Sequence, residues 1–231
     1  NQTVAYIGGQ YGSDYSRWAE KNHEVVVYLT SSTEYLSRLG FTEHGLRHAG
    51  LVSVRAYDVL DTLGYTERDC QLAAIAGYLH DIANMINRYN HGGIGATIAY
   101  SILSKLQMKA EEIALVISAI GNHEEERGHA VNHVASALIL ADKSDVHRSR
   151  VTTKDFAKFE IHDRVNYAVN HSQLRADKSQ NSIALELTID TNICPVMEYF
   201  EIFLQRMMMS RRAAEFLNCS FQLIINNYRL L

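Results

Sequence analysis

A single proline, Pro195, in 231 residues leaves almost nothing to interrupt a helix between Ser31 and Arg150. Proline inside a helix removes a backbone donor and clashes with the preceding turn, so its scarcity predicts an all-helical first two-thirds. Cysteine is scarce too. Cys70, Cys194 and Cys219 lie far apart with no CxxC, which excludes a disulfide framework or thiolate zinc site and suits a reducing cytoplasm. No apolar run approaches the ~18 residues of a membrane helix, and Asn1-Gln2-Thr3 does not open a basic-then-apolar leader. The chain reads as soluble, with no membrane partner. Net charge is also small: 22 Lys and Arg against 26 Asp and Glu give a formal charge of -4. That balance offers no general attraction for polyanions, so nucleic acid is disfavoured as an obligate partner.

What is present is ordinary in bulk and unusual in one residue type. Hydrophobic residues at 47% and charged residues at 21% are the usage of a folded globular chain. Eleven histidines are more than size suggests, and their positions decide whether they are scattered or assembled.

The sequence divides into three parts: an N-terminal segment, 1–30, expected to pack on a helical bundle; the bundle, 31–150; and a small α+β unit, 151–231. Helices are predicted over 32–39, 43–63, 66–80, 93–106, 109–121 and 130–147, from apolar residues at helical spacing and glycines near three of the ends. Ser31 with Glu34 and Thr66 with Asp69 read as capping boxes. After Arg150 the period changes. Ile183, Leu185, Leu187 and Ile189 alternate with polar or small residues, as do Val165, Tyr167 and Val169 upstream, with a polar turn at Asp177-Lys178-Ser179-Gln180-Asn181 between them. This predicts an antiparallel sheet of 164–175, 181–190 and 220–226, covered by a helix over 195–217 that begins at Pro195. The fold class expected is therefore mainly α, a bundle with a C-terminal α+β extension.

The chemistry-bearing residues lie within the bundle. His80-Asp81 stands where the apolar run Ala73 to Leu79 ends, offering one nitrogen ligand and one carboxylate able to bridge. His48 precedes it on a long helix, and His91, His123 and Asp142 follow on or beside later helices. A bundle brings such residues into one interior site. His162-Asp163 carries the same letters before a predicted strand without comparable company, and reads as a surface pair.

From about Arg47 to Asp145 the sequence resembles the HD-domain superfamily of metal-dependent phosphohydrolases. The residues that carry the resemblance are His48, Leu63-Gly64, the run Ala74 to Ile82 with its His80-Asp81, His91 ahead of Gly95-Ala96, Asn122-His123-Glu124, and Leu140-Ala141-Asp142-Lys143. The resemblance implies an HD-type bundle in which His48, His80, Asp81 and Asp142 hold a first metal, and His91 and His123 a second bridged by Asp81. It further implies hydrolysis of a nucleotide or other small phosphate ester through a metal-activated hydroxide, with Asp81 catalytic and Lys143 and Asn122 contacting phosphate.

The sequence departs from the family pattern in three ways. Asn84 stands where the cyclic-dinucleotide-degrading branch has Lys, and that branch's Gly-Tyr-Pro signature is absent, which makes cyclic dinucleotides poor substrates. Asn122-His123-Glu124 replaces the frequent His-His-Glu, leaving one histidine for the second ion. His44, one turn before His48, competes for the ligand position; the spacing to Gly64 and His80 favours His48 and leaves His44 to support a ligand or bound phosphate.

The metal is expected to be a divalent transition ion, with iron, manganese, zinc, cobalt and nickel not distinguished, and the site to take two of them. A small phosphorylated molecule is the expected substrate, and the C-terminal unit is expected to be structural, shielding the bundle or joining two copies. Alternative functions compatible with the same ligand order are a di-iron oxygenase and a non-catalytic, metal-dependent regulatory module.

Overall fold

The computed structural model describes residues 22–153 and 155–231. Most of the expected N-terminal segment, 1–21, lies outside the described residues. The described chain is mainly helical with a four-stranded sheet at its C-terminal end.

The first helix, α1 (His23–Arg38), is capped by Asn22, whose side chain accepts from the Val25 amide at 3.2 Å. The expected cap at Ser31 is thereby corrected, for Ser31 lies inside the helix. The helix begins at His23, nine residues before the expected start at 32, and Val25, Leu29 and Leu36 give it a buried apolar face. Helix α2 (Leu46–Leu63) ends on Gly64, whose φ of 86° is a left-handed conformation available to glycine at little cost. Thr66 caps α3 (Glu67–Leu79) as the sequence predicts, accepting from the Asp69 amide at 3.2 Å.

Helix α3 is buried continuously from Leu72 to Leu79 and forms the centre of the bundle. It approaches α2 so closely at Gly77 that a Cβ there would lie 2.9 Å from the Ser53 backbone. The helix runs out at His80 and Asp81, followed by a 3-10 turn, Ile82–Met85. Then come α4 (His91–Lys105), α5 (Ala110–Gly121) and α6 (His133–Lys143), the last buried from Val134 onward. Asn132 sets the start of α6 by accepting from the Ala135 amide at 2.8 Å, so α6 is shorter than the 130–147 expected.

The C-terminal unit departs further from the sequence reading. Residues Ile161–Ala168 form a helix, α7, where a strand was expected. Its buried residues Asp163, Val165, Asn166 and Ala168 follow helical spacing, which overrides the brief alternation of Val165, Tyr167 and Val169. The hairpin of β1 (Val169–Asp177) and β2 (Ser182–Ile189) is antiparallel as expected, its turn held by Asp177 Oδ1 accepting from the Ser179 and Gln180 amides. Helix α8 (Val196–Phe216) then crosses over, and β3 (Ser220–Ile225) pairs with β2 in parallel, correcting the all-antiparallel expectation. The intervening helix returns the chain to the end where β2 began, and that makes the pair parallel. A short β4 (Tyr228–Arg229) completes the order β1-β2-β3-β4. Because α8 packs on α6 as well as on β2 and β3, the unit joins the bundle beside Asp142.

Candidate metal centre

Four bundle histidines are aimed by the same device. The Nδ1 of His80 faces the Gly77 carbonyl at 2.8 Å, that of His91 the Arg88 carbonyl at 2.8 Å, and that of His123 the Ile120 carbonyl at 2.6 Å. His48 Nδ1 faces Asp145 Oδ2 at 2.7 Å. Carbonyl and carboxylate oxygens accept, so each Nδ1 donates, and a neutral ring then presents a bare lone pair on Nε2. In His80, His91 and His123 the carbonyl belongs to the third residue back, a local contact made where a helix ends or begins.

The four Nε2 atoms converge on Asp81. Its Oδ2 lies 3.3 Å from His80 and 3.5 Å from His48; its Oδ1 lies 3.2 Å from His91 and 3.8 Å from His123. Asp142 Oδ1 joins the first pair, 3.3 Å from His48 and 3.7 Å from His80. All six residues named from the sequence are buried together. Two overlapping groups, His48-His80-Asp142 and His80-Asp81-His123, each have their ligand atoms within 4.8 Å of one another.

Three observations test whether a cation suits these residues. His48 and His80 oppose their Nε2 atoms at 3.2 Å, and His91 and His123 at 3.0 Å. Two lone pairs so placed repel each other unless a proton or a metal ion lies between them; burial resists such a proton on His80 while Asp81 and Asp142 favour it, and Arg88 already approaches His91 Nε2 at 3.3 Å. Asp81 Oδ2 is buried and accepts no hydrogen bond among the described residues, an arrangement costly for a carboxylate. Finally, the carboxyls are anionic. Burial resists a charge on Asp81, yet His80 and His91 hold it well below the ordinary carboxylate range; burial likewise resists a charge on Asp142, and Lys143, His48 and His80 overcome it. Burial and the neighbouring His91 and His80 push His123 well below the usual imidazole value, which keeps its lone pair free. Nitrogen lone pairs around two anionic carboxylates fit divalent transition ions.

The remaining expected site residues divide. Lys143 is buried, with Nζ 2.7 Å from Asp142 Oδ2 and 3.5 Å from Glu125 Oε1, and lines the cavity above the centre. Asn122 does not line that cavity. As C-cap of α5 it donates to the Ser118 carbonyl at 2.9 Å, so the expected phosphate contact is corrected. His44 lines the cavity with its Nδ1 2.6 Å from the Thr42 carbonyl, outside both ligand groups.

Several participants were not read from the sequence. Asp145, three residues after Asp142, holds His48 and is itself held by Arg47 at 2.8 Å. Glu124 accepts from the Gly92 amide at 2.6 Å and lies 2.9 Å from His91. Arg88 reaches into the centre, its guanidinium 3.7 Å from Asp81 Oδ1. His162 and Asp163, expected on the surface, line the cavity, and Asp163 is buried. Helical spacing of Asp142 and Asp145 was the available signal for one of these; the others depend on packing between elements distant in sequence.

The cavity holds about 620 Å³ and is walled by the bundle on one side and by α7 and α8 on the other. No helix among the described residues is long and apolar enough to cross a membrane. No family model matches the chain. It is similar to an uncharacterized protein of Methanocaldococcus jannaschii, 26% identical over 203 residues that cover 77% of this chain and 78% of that protein. Among solved structures it is similar to a predicted HD superfamily hydrolase from an uncultured Thermotogales bacterium, 21% identical with a TM-score of 0.43, over 58% of this chain and 75% of that one.

Proposed function

We propose that this chain is a metal-dependent hydrolase of small phosphate esters, nucleotides among them. In this reading His48, His80, Asp142 and Asp81 Oδ2 hold one divalent transition ion, and His91, His123 and Asp81 Oδ1 hold a second. The observation that carries it is the convergence of four Nε2 lone pairs on the two faces of one buried carboxylate. Bound divalent cations lower the pKa of a coordinated water toward ~7 and neutralise charge on a phosphoryl oxygen.

The chain's own groups supply the rest. Asp145 and the carbonyls of Gly77, Arg88 and Ile120 fix the ring orientations, so that no reorganisation is needed when ligands engage. Arg88 and Lys143 face the cavity beside the carboxylates and offer charge-assisted contacts to non-bridging phosphate oxygens. Lys143, tethered between Asp142 and Glu125, is positioned to do so without ordering a free side chain.

The test is steady-state turnover of a panel of phosphate esters by metal-analysed protein, with and without O₂. Turnover should require bound transition metal, be indifferent to O₂, and fall at least 100-fold in Asp81→Ala, which removes the carboxylate shared by both ligand groups. Turnover retained in that variant would place the chemistry elsewhere, and an absolute need for iron and O₂ would replace hydrolysis with oxygenation.

A further inference from the structure

Helix α8 has two faces, and the fold of the chain accounts for one of them. Tyr199, Phe203, Met207, Ala213 and Ala214 are buried on the side that packs on α6, α7 and the sheet. The other side carries Met197, Leu204 and Met208, which are 68%, 55% and 49% exposed. Single exposed apolar residues are ordinary on a protein surface, so spacing decides whether these three form one feature. Together with Glu201, Arg211 and Glu215, also exposed, they occupy positions 197, 201, 204, 208, 211 and 215. Steps that alternate between four and three residues hold all six on one narrow line along the helix, the spacing of a coiled-coil seam.

The order of residues along this line identifies what fits it. Its centre is apolar, Leu204 and Met208; Glu201 stands three residues before that centre and Arg211 three residues after it. A second copy of α8 running in the opposite direction, with a two-fold axis between Leu204 and Met208, sets Leu204 against the partner's Met208 and Glu201 against the partner's Arg211. Symmetry makes each of these contacts twice. Met197 then falls beside the partner's Glu215 at either end. A parallel pairing would oppose Glu201 to its own copy and Arg211 to its own copy, which is repulsive. An antiparallel pairing shifted by seven residues either way would set Leu204 against a carboxylate, that of Glu201 or Glu215. Only the centred antiparallel register joins apolar to apolar and opposite charge to opposite charge.

Within its own chain Arg211 lies 3.3 Å from Glu215, both more than half exposed. Such a pair is worth little in water, and the guanidinium keeps donors for a second carboxylate. Arg206, which lines the cavity and pairs with Glu125 at 2.9 Å, is on the far side of α8 from the line. Substitutions on the line therefore leave that contact in place.

We propose that the exposed line of α8 is the contact surface for a second copy of this chain, packed antiparallel across a two-fold axis, with Glu201 of each copy opposite Arg211 of the other. A seam this narrow stands at the small end of specific interfaces, so the dimer is reversible and dissociates on dilution.

The experiment is sedimentation velocity of the full chain from low micromolar to near-millimolar concentration, for wild type, Leu204→Asp, Glu201→Arg, Arg211→Glu and the last two combined. Wild type should pass from monomer to dimer over this range, and Leu204→Asp should remain monomeric. Either charge reversal alone should weaken the dimer roughly 10-fold, because like charges then face each other at two symmetric places. The combined reversal should return the affinity to within about 3-fold of wild type, a recovery that damage to the fold could not produce. Far-UV circular dichroism and metal content should match wild type in every variant. A wild type that stays monomeric throughout would assign the line to another partner or to solvent and overturn the proposal. So would a dimer indifferent to Leu204→Asp, or a combined variant that associates no better than the single reversals.

Discussion

Asp145 shows how much of this centre is controlled by a residue that holds no metal in the proposed scheme. Its Oδ2 receives the His48 Nδ1 proton at 2.7 Å while Arg47 approaches at 2.8 Å, and its backbone carbonyl accepts from Arg150 at 2.8 Å. Burial works against its charge, and Arg150, His48 and Arg47 overcome it, holding the carboxyl well below its ordinary range. A carboxylate behind a histidine fixes the ring and raises its basicity, and losing one costs ~10–100-fold in metal affinity. Asp145→Asn should therefore weaken metal binding by about that factor in a chelator competition, with the folded signal retained. Its stability deficit should be complete at neutral pH. A carboxyl with a depressed folded pKa stabilises above its unfolded value of ~3.9, so the deficit should shrink as the pH falls below ~4. Metal affinity equal to wild type would reduce Asp145 to a structural anchor for Arg47 and Arg150.

Where elements meet, small residues decide how closely the ligand-bearing helices approach. Gly77 lets α3 lie against α2, since a Cβ there would come within 2.9 Å of the Ser53 backbone and the Val52 carbonyl. Its own carbonyl orients His80. Gly77→Ala should cost about 1–3 kcal/mol, the usual penalty for overpacking, and should lower metal affinity as well. Thermal melts with and without metal check this; a neutral substitution would mean that the two helices separate freely. Element by element, the helices with long stripes and clear caps were legible, as at Thr66 and Gly64. Those set by tertiary context were not. The stretch Val165 to Val169 offers only three alternating positions, too few to outweigh packing of Asp163, Val165 and Asn166 against the bundle. The direction of β3 depends on the crossover made by α8, which strand periodicity does not encode.

At the scale of the whole molecule, the six proposed ligands were legible because their types and order carry a resemblance that spans five helices' worth of chain. Their mutual distances, the tautomers and the partition of Asp81 between two histidine pairs were not, since these follow from helix termini placed side by side. The sequence reading expected the C-terminal unit to shield the bundle or join two copies; that α7 and α8 line the cavity was not legible, because they meet it through side chains whose sequence neighbourhood gives no sign of it. Metal occupancy decides whether the six residues form a ligand set. The most direct measurement is metal content per chain by elemental analysis after loading with a divalent transition metal and removal of excess, for wild type and Asp81→Ala. Two ions per chain in the wild type and at most one in the variant is the predicted result; no tightly bound ion in the wild type, or an equal content in both proteins, would contradict it.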